Sequence, residues 1–333
     1  MSYAKLLAAV LAVSPLAGQP RNFPQPAPPK EVTITEIPGV IAANSQWKIA
    51  WQGTATADGM AGTKDGGLLM AQEQTNHINK LDKNDKFSVF LSTPHGPGAV
   101  AIAKNGQIYT VERTCTDPGG HLGVQPNECK EPTDVAVLTP QRKVLAESVG
   151  GKGLGRVNDL VMSSKGDIYF TSGGAFHLSP SGQVTGFGEN LRTNGIMLSP
   201  DEKTLYITNG PTIVAFDIQA DGSPTNQRDF GKLEAGGAGD GMAVDAEGRL
   251  YVTGGPGIQV LDKSGKFLGA IPVPRQAITV AFSGPGKKTL YVGGMGAIGA
   301  DGKEIHTEPG VRNVAMTVYK VPVLTAGFKG RAK

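Results

Sequence analysis

Only two cysteines occur in the 333-residue chain, Cys115 and Cys129. Two thiols cannot build a zinc ribbon or a dense disulfide framework. They can close one disulfide loop in an oxidising compartment, or stand as unpaired thiols in a reducing one. Aromatic residues are scarce at 6%, and the net charge is only +3. A nucleic-acid surface would need clustered Lys and Arg with interleaved aromatics, which the sequence lacks. Amphipathic runs of helical period are missing after the N-terminal segment, which excludes helical solenoids. Beyond that segment no apolar stretch is long enough to span a membrane, so no stable membrane insertion is expected once the segment is removed. No feature calls for an obligate protein partner.

The N-terminus carries Lys5, an apolar run from Leu6 to Val13, and then Ser14 to Gly18. This layout predicts a signal peptide over residues 1–18 and a periplasmic or secreted protein. Residues 19–31 hold Pro20, Pro24, Pro26, Pro28 and Pro29 and read as an extended linker. The folded body is expected over residues 32–325, followed by a solvated basic tail over 326–333 with Lys329, Arg331 and Lys333.

What the chain has in excess is glycine, with 47 residues and no Gly-X-Y period. Many tight turns between short strands are therefore expected. At 333 residues the chain exceeds the size at which a single ordinary core stops growing, which calls for two domains or a repeat. A repeat is present. Asp65-Gly66-Gly67-Leu68-Leu69-Met70 is echoed by Asn105-Gly106-Gln107-Ile108-Tyr109 and Lys165-Gly166-Asp167-Ile168-Tyr169-Phe170. Glu202-Lys203-Thr204-Leu205-Tyr206-Ile207, Glu247-Gly248-Arg249-Leu250-Tyr251-Val252 and Lys287-Lys288-Thr289-Leu290-Tyr291-Val292 complete six copies.

With Leu69, Tyr109, Tyr169, Tyr206, Tyr251 and Tyr291 as markers, the gaps are 40, 60, 37, 45 and 40 residues. The outlier contains Thr114 to Thr133, an irregular stretch with both cysteines; without it the gap returns to 40. A period near 40 with short alternating strands predicts an all-β, six-bladed β-propeller with four-stranded blades. Ring closure removes exposed edges, and the early strand Val32–Thr35 is expected to pair opposite Val314–Tyr319 in the last blade.

Counting back from the markers reveals a second regularity. Asp58, Asn158 and Asp240 lie 11 residues before theirs and Asn194 lies 12 before. Gly98 and Thr279 fill the same phase in the other two copies. Each Asp-Gly or Asn-Gly pair alone reads as an ordinary turn. At equal phase in a propeller they stand at equal height around one axis, so four side-chain oxygens are expected to converge. Asp58, Asn158, Asn194 and Asp240 would form a hard, doubly negative cage suited to Ca²⁺, with Mg²⁺ or Mn²⁺ as substitutes and Zn²⁺ less natural.

The phrases Arg156-Val157-Asn158-Asp159, Thr193-Asn194-Gly195-Ile196-Met197-Leu198-Ser199-Pro200-Asp201 and Gly239-Asp240-Gly241-Met242-Ala243-Val244 resemble the senescence-marker-protein/gluconolactonase family, also called regucalcin-like. The resemblance runs from about Thr54 to Val323 and is strong in copies three to five. It implies a six-bladed propeller, a divalent metal and lactone hydrolysis. On this resemblance Asn194 and Asp240 match metal ligands, Asn158 a residue near the metal that contacts substrate or water, and Arg156 a substrate-binding arginine. The first-blade ligand is usually Glu in a Glu-Gly-Pro phrase, whereas this chain has Asp58-Gly59-Met60, one methylene shorter.

The expected function is metal-dependent hydrolysis of a small-molecule lactone, with the metal polarising the carbonyl and the attacking water activated by the metal or by Asp240 as catalytic general base. Arg156 and Asn158 would bind substrate. The alternatives are a non-catalytic binding propeller with a structural metal, and a strictosidine-synthase-like propeller relying on a catalytic Glu. His95, Glu73 and Glu112 are weaker candidates. Gly294-Met295-Gly296-Ala297-Ile298-Gly299 fits a dinucleotide fingerprint only formally, because no helix follows.

Overall fold

The computed structural model describes residues 23–113, 131–308 and 311–331. Cys115, Cys129 and the expected signal peptide lie outside the described residues. Six four-stranded antiparallel sheets form six blades around one axis. Blade I comprises β2 (Asp58–Gly62), β3 (Leu68–Gln72), β4 (His77–Leu81) and β5 (Phe87–Leu91). Blade II comprises β6 (Pro97–Ile102), β7 (Ile108–Glu112), β8 (Asp134–Val137) and β9 (Lys143–Ala146). A small hairpin, β10 (Ser148–Val149) with β11 (Lys152–Gly153), precedes blade III: β12 (Leu160–Met162), β13 (Ile168–Thr171), β14 (Ala175–Leu178) and β15 (Val184–Phe187). Blade IV runs through β16 (Thr193–Leu198), β17 (Thr204–Asn209), β18 (Thr212–Ile218) and β19 (Pro224–Lys232). Blade V has β20 (Met242–Val244), β21 (Leu250–Gly254), β22 (Gly257–Leu261) and β23 (Phe267–Pro272). Blade VI joins β24 (Ala277–Ser283), β25 (Thr289–Met295) and β26 (Met316–Pro322) to β1 (Lys48–Gly53) from the other end of the chain.

The period-2 alternation of the marker strands sorts side chains into two different interblade cores. In β13, Ile168 and Phe170 pack toward blade II while Tyr169 joins the cluster shared with blade IV. In β21, Leu250 and Val252 face blade IV while Tyr251 faces blade VI. Both faces are therefore buried, and each fully buried aliphatic side chain contributes about 1.5–3 kcal/mol. The ring closes between blades VI and I, where Tyr291, Ala281 and Val318 meet Met60, Leu68 and Met70.

Three expectations are corrected. First, the closing strand is Lys48–Gly53, registered Lys48↔Lys320 to Gly53↔Met316, and not Val32–Thr35. Trp51 fixes it by stacking on Phe87 of the neighbouring blade, with ring centroids 5.8 Å apart. Ile34 is instead buried with Ile37, Val40 and Ile41 against blades V and VI. Second, the described part of the Pro-rich segment is docked and is not a free linker. Gln25 bonds to Thr307 and Asn313, Arg275 donates to the Ala27 carbonyl, and the Lys30 amide donates to the Pro274 carbonyl. Third, the basic tail is docked as far as Arg331. The Phe328 amide donates to the Val244 carbonyl, and Lys287 Nζ donates to the carbonyls of Phe328 and Arg331, each at 2.9 Å. Phe328 and Arg331 line a cavity of about 30 Å³ with Met60, Met197, Met242 and Phe282 from the innermost strands. The tail thus caps one end of the axial channel.

Candidate active site

At the opposite end, where the innermost strands begin, Asp58, Gly98, Asn158, Asn194, Asp240 and Thr279 all line one narrow cavity of about 10 Å³. The structure therefore brings the four polar residues of equal phase together. A backbone device repeated around the ring places them. The pairing of innermost with second strand slips at Asp58/Met60, Pro97/Ala99, Thr193/Ile196 and Ala277/Thr279. In blade V, Asp240 N donates to the Thr253 carbonyl while Thr253 N donates to the Gly241 carbonyl, so two residues face one. Asn158 and Asp159 face Thr171 in the same way. Such bulges re-aim a side chain out of the pleat, here toward the axis.

The glycines that follow these residues serve neighbouring blades and not turns. A Cβ at Gly59 would stand 2.4 Å from Ala99 Cα, and one at Gly195 2.1 Å from the Asp240 carbonyl oxygen. Innermost strands approach this closely only without side chains there. Buried threonines tie the ring together: Thr171 Oγ1 donates to the Asn194 carbonyl and Thr253 Oγ1 to the Ile278 carbonyl.

Arg113, four residues past the second marker, fills the gap left by Gly98. A Cβ on Gly98 would lie 1.9 Å from Arg113 Nε. The guanidinium is buried and uses its whole donor fork. Nε donates to the Val157 carbonyl at 3.0 Å, and Nη1 to Asp58 Oδ2 at 2.8 Å and Glu73 Oε2 at 3.2 Å. Nη2 donates to the carbonyls of Gly98 and Asn158 at 3.0 and 2.8 Å and to Asn158 Oδ1 at 3.0 Å. Burial opposes its charge, but Asp58 and Glu73 outweigh burial and raise its affinity for the proton. Glu73, itself buried, also receives Arg156 through both oxygens, at 3.2 and 3.3 Å.

This arrangement does not fit the four-oxygen cage expected for a divalent cation. Asp58 Oδ2 and Asn158 Oδ1 accept from Arg113, and Asp58 Oδ1 accepts from the Gly59 amide at 3.0 Å. Asn194 Oδ1 accepts from Asn158 Nδ2 at 2.6 Å. Among the described residues, no group of three or more His, Cys, Asp or Glu side chains is placed to hold a metal ion.

The narrow cavity opens into a larger one of about 600 Å³, lined by Asp58, Arg113, Arg156, Asn158, Asn194, Asp240 and Arg312. Phe23, Pro24, Gln25, Pro26 and Ala27 form one of its walls. Three arginines around it favour an oxygen-rich or anionic occupant. His95 and Glu112 do not line it. The His95 amide donates to Glu112 Oε1 at 2.7 Å, its ring pairs with Glu131, and Glu112 pairs with Arg142 at 2.6 Å. Arg142 also holds Asp134, whose carboxyl burial and neighbouring Glu112 push up to about 8. This network ties β7 to β8 and to the turn before β9.

The sequence pointed to Asp58, Asn158, Asn194, Asp240 and Arg156, and missed Arg113 and the role of Glu73. The available signal was the glycine at phase 98: a side chain missing from a close-packed ring leaves a hole that a neighbour must fill.

Residues 63–295 match the SMP-30/Gluconolactonase/LRE-like region. A gluconolactonase from Zymomonas mobilis is 29% identical over 285 residues, spanning 76% of this chain and 77% of that protein. A lactonase drp35 from Staphylococcus haemolyticus is 27% identical over 237 residues, 65% of this chain and 69% of its own. Among solved structures, a gluconolactonase from Xanthomonas campestris superposes with a TM-score of 0.67 at 20% identity, over 92% of this chain and 99% of that one. A calcium-binding regucalcin from Agrobacterium tumefaciens superposes with 0.63 at 18% identity, over 85% and 95%. With the family match running over most of its length, the chain belongs to the SMP-30/gluconolactonase/LRE-like family.

Proposed function

We propose that this chain is a hydrolase that opens small-molecule lactones at the mouth of the propeller channel. The observation that carries this reading is the convergence of Asp240, Asn194, Asn158 and Arg156 on one cavity. The relatives named gluconolactonase and lactonase support the substrate class. A water oxygen attacks the lactone carbonyl carbon and passes its proton to the Asp240 carboxylate. Asn194, whose amide oxygen is held by Asn158, turns its Nδ2 as a donor to the oxyanion that forms. Collapse of the tetrahedral intermediate breaks the ring C–O bond, and the departing alkoxide takes the proton back from Asp240. Arg156, braced by Glu73, receives the carboxylate of the resulting hydroxy acid or a ring hydroxyl. No step is routed through a divalent cation, because three of the four residues expected to hold one, Asp58, Asn158 and Asn194, already accept from N–H donors. The N-terminal pattern supports a periplasmic or secreted setting.

The test is turnover of a small lactone panel by the wild-type protein and by Asp240→Asn. Loss of a catalytic general base is expected to cost about 10²–10⁴-fold. Full activity in the variant refutes the mechanism. Lactone binding without turnover by the wild type turns the reading to a binding propeller.

A further inference from the structure

We infer that Arg113 is the resident cation of this site, in the position that the family resemblance assigns to a divalent metal ion. Three features of this chain fit one another. The first-blade carboxylate is Asp58 and not Glu, and its shorter side chain meets a guanidinium at 2.8 Å. The second-blade position is Gly98, where any Cβ would strike Arg113 at Nε, Cζ and Nη2, at 1.9, 2.3 and 2.4 Å. Arg113 itself follows β7 directly and reaches into the ring made open by both. None of the three makes sense alone: a shortened ligand weakens a metal cage, and a glycine in the ring leaves a void.

The guanidinium is built in at every donor. Three backbone carbonyls, those of Val157, Gly98 and Asn158, receive it together with Asp58, Glu73 and the Asn158 amide oxygen. Backbone acceptors at fixed positions hold a planar fork, whose geometry no spherical ion shares. Most of the local charge is offset as well: Asp58, Glu73 and Asp240 bring three carboxylates against the two positive charges of Arg113 and Arg156. A second, doubly charged cation would sit against a buried guanidinium in a low-dielectric pocket, where repulsion is poorly screened. Arg113 therefore orients Asp58 and Asn158 with a positive charge that is part of the chain and not an exchangeable ion. Its charge cannot be removed by chelation, nor by any pH at which the protein is folded.

This inference shares the cavity of the lactone-hydrolysis reading but is tested without substrate, so the two can fail separately. Wild-type protein is passed over a chelating resin, and its metal content is measured by plasma mass spectrometry. Its melting temperature is then followed as Ca²⁺, Mg²⁺ or Mn²⁺ is added. The expected result is well below one equivalent of bound metal and a melting temperature that neither chelator nor cation moves. Arg113→Met, which releases Asp58 and Asn158, is expected to gain Ca²⁺ binding seen as a rise in melting temperature on titration. Arg113→Lys keeps the charge and is expected to stay insensitive. About one equivalent of metal retained by the wild type, or a fall in its melting temperature on chelation, overturns the inference. So does an Arg113→Met protein that folds and gains no metal. If Arg113→Met does not fold, the wild-type metal content decides alone.

Discussion

Gly98→Ala tests the seating of Arg113 with the smallest change available. The new methyl carbon would lie 1.9 Å from Arg113 Nε and 2.3 Å from Cζ, distances no neighbour can absorb without moving. The backbone at Gly98 is fixed by its place in β6, so the guanidinium must leave. Its departure strands the partly buried Asp58 and leaves the buried Glu73 with Arg156 as its remaining cationic partner. Breaking a buried ion pair from one side costs about 3–5 kcal/mol. At about 2.1 cal/mol/K of unfolding entropy per residue over roughly 300 ordered residues, that cost lowers Tm by about 5–8 °C. Differential scanning calorimetry of Gly98→Ala, Arg113→Ala and the double variant gives the decisive comparison. Arg113→Ala is expected to cost about as much as Gly98→Ala, and the double variant hardly more than either, because the added methyl then occupies vacated space. A Gly98→Ala protein melting within a degree of wild type, or costs that simply add, would refute the steric argument.

Three further outcomes follow from other parts of the molecule. Asp134 holds a proton in the folded chain, with its carboxyl pushed up to about 8, which the unfolded chain releases near pH 4. Stability therefore falls as pH rises between those values; Asp134→Asn should flatten that fall, and Tm profiles from pH 5 to 9 that run parallel would contradict it. Truncation after Ala326 removes the partly buried Phe328 and is expected to cost about 1–2 kcal/mol by the apolar surface it exposes, read as a lower urea midpoint; an unchanged midpoint would show that the tail adds no stability. Deleting the residues ahead of Lys30 removes the wall formed by Phe23 to Ala27, so KM for bulky lactones should fall while kcat for small ones holds; an unchanged preference would mean the wall selects nothing.

The fold was legible because blades repeat, and a repeat states its period six times. The marker strands and the phase of Asp58, Asn158, Asn194 and Asp240 both rest on that redundancy. Features that occur once were harder to see. The closing strand Lys48–Gly53 has one partner, β26, and its identity depends on where Trp51 meets Phe87. Val32–Thr35 offers better strand composition, but Ile34 is taken by the cluster with Ile37 and Val40. The proline-rich segment and the basic tail look like solvated chain by composition. Their docking rests on single long-range bonds, such as Gln25 to Asn313 and Lys287 to the Phe328 carbonyl. Arg113 was hidden for a related reason: no periodicity announces a side chain that fills another blade's empty place.

The capped end of the channel has a kinetic corollary. With Phe328 and Arg331 closing one side, whatever reaches Asp240 must depart through the opening by which it arrived. Hydroxy acid on its way out then blocks the next lactone on its way in, so the product should inhibit as a simple competitor of substrate.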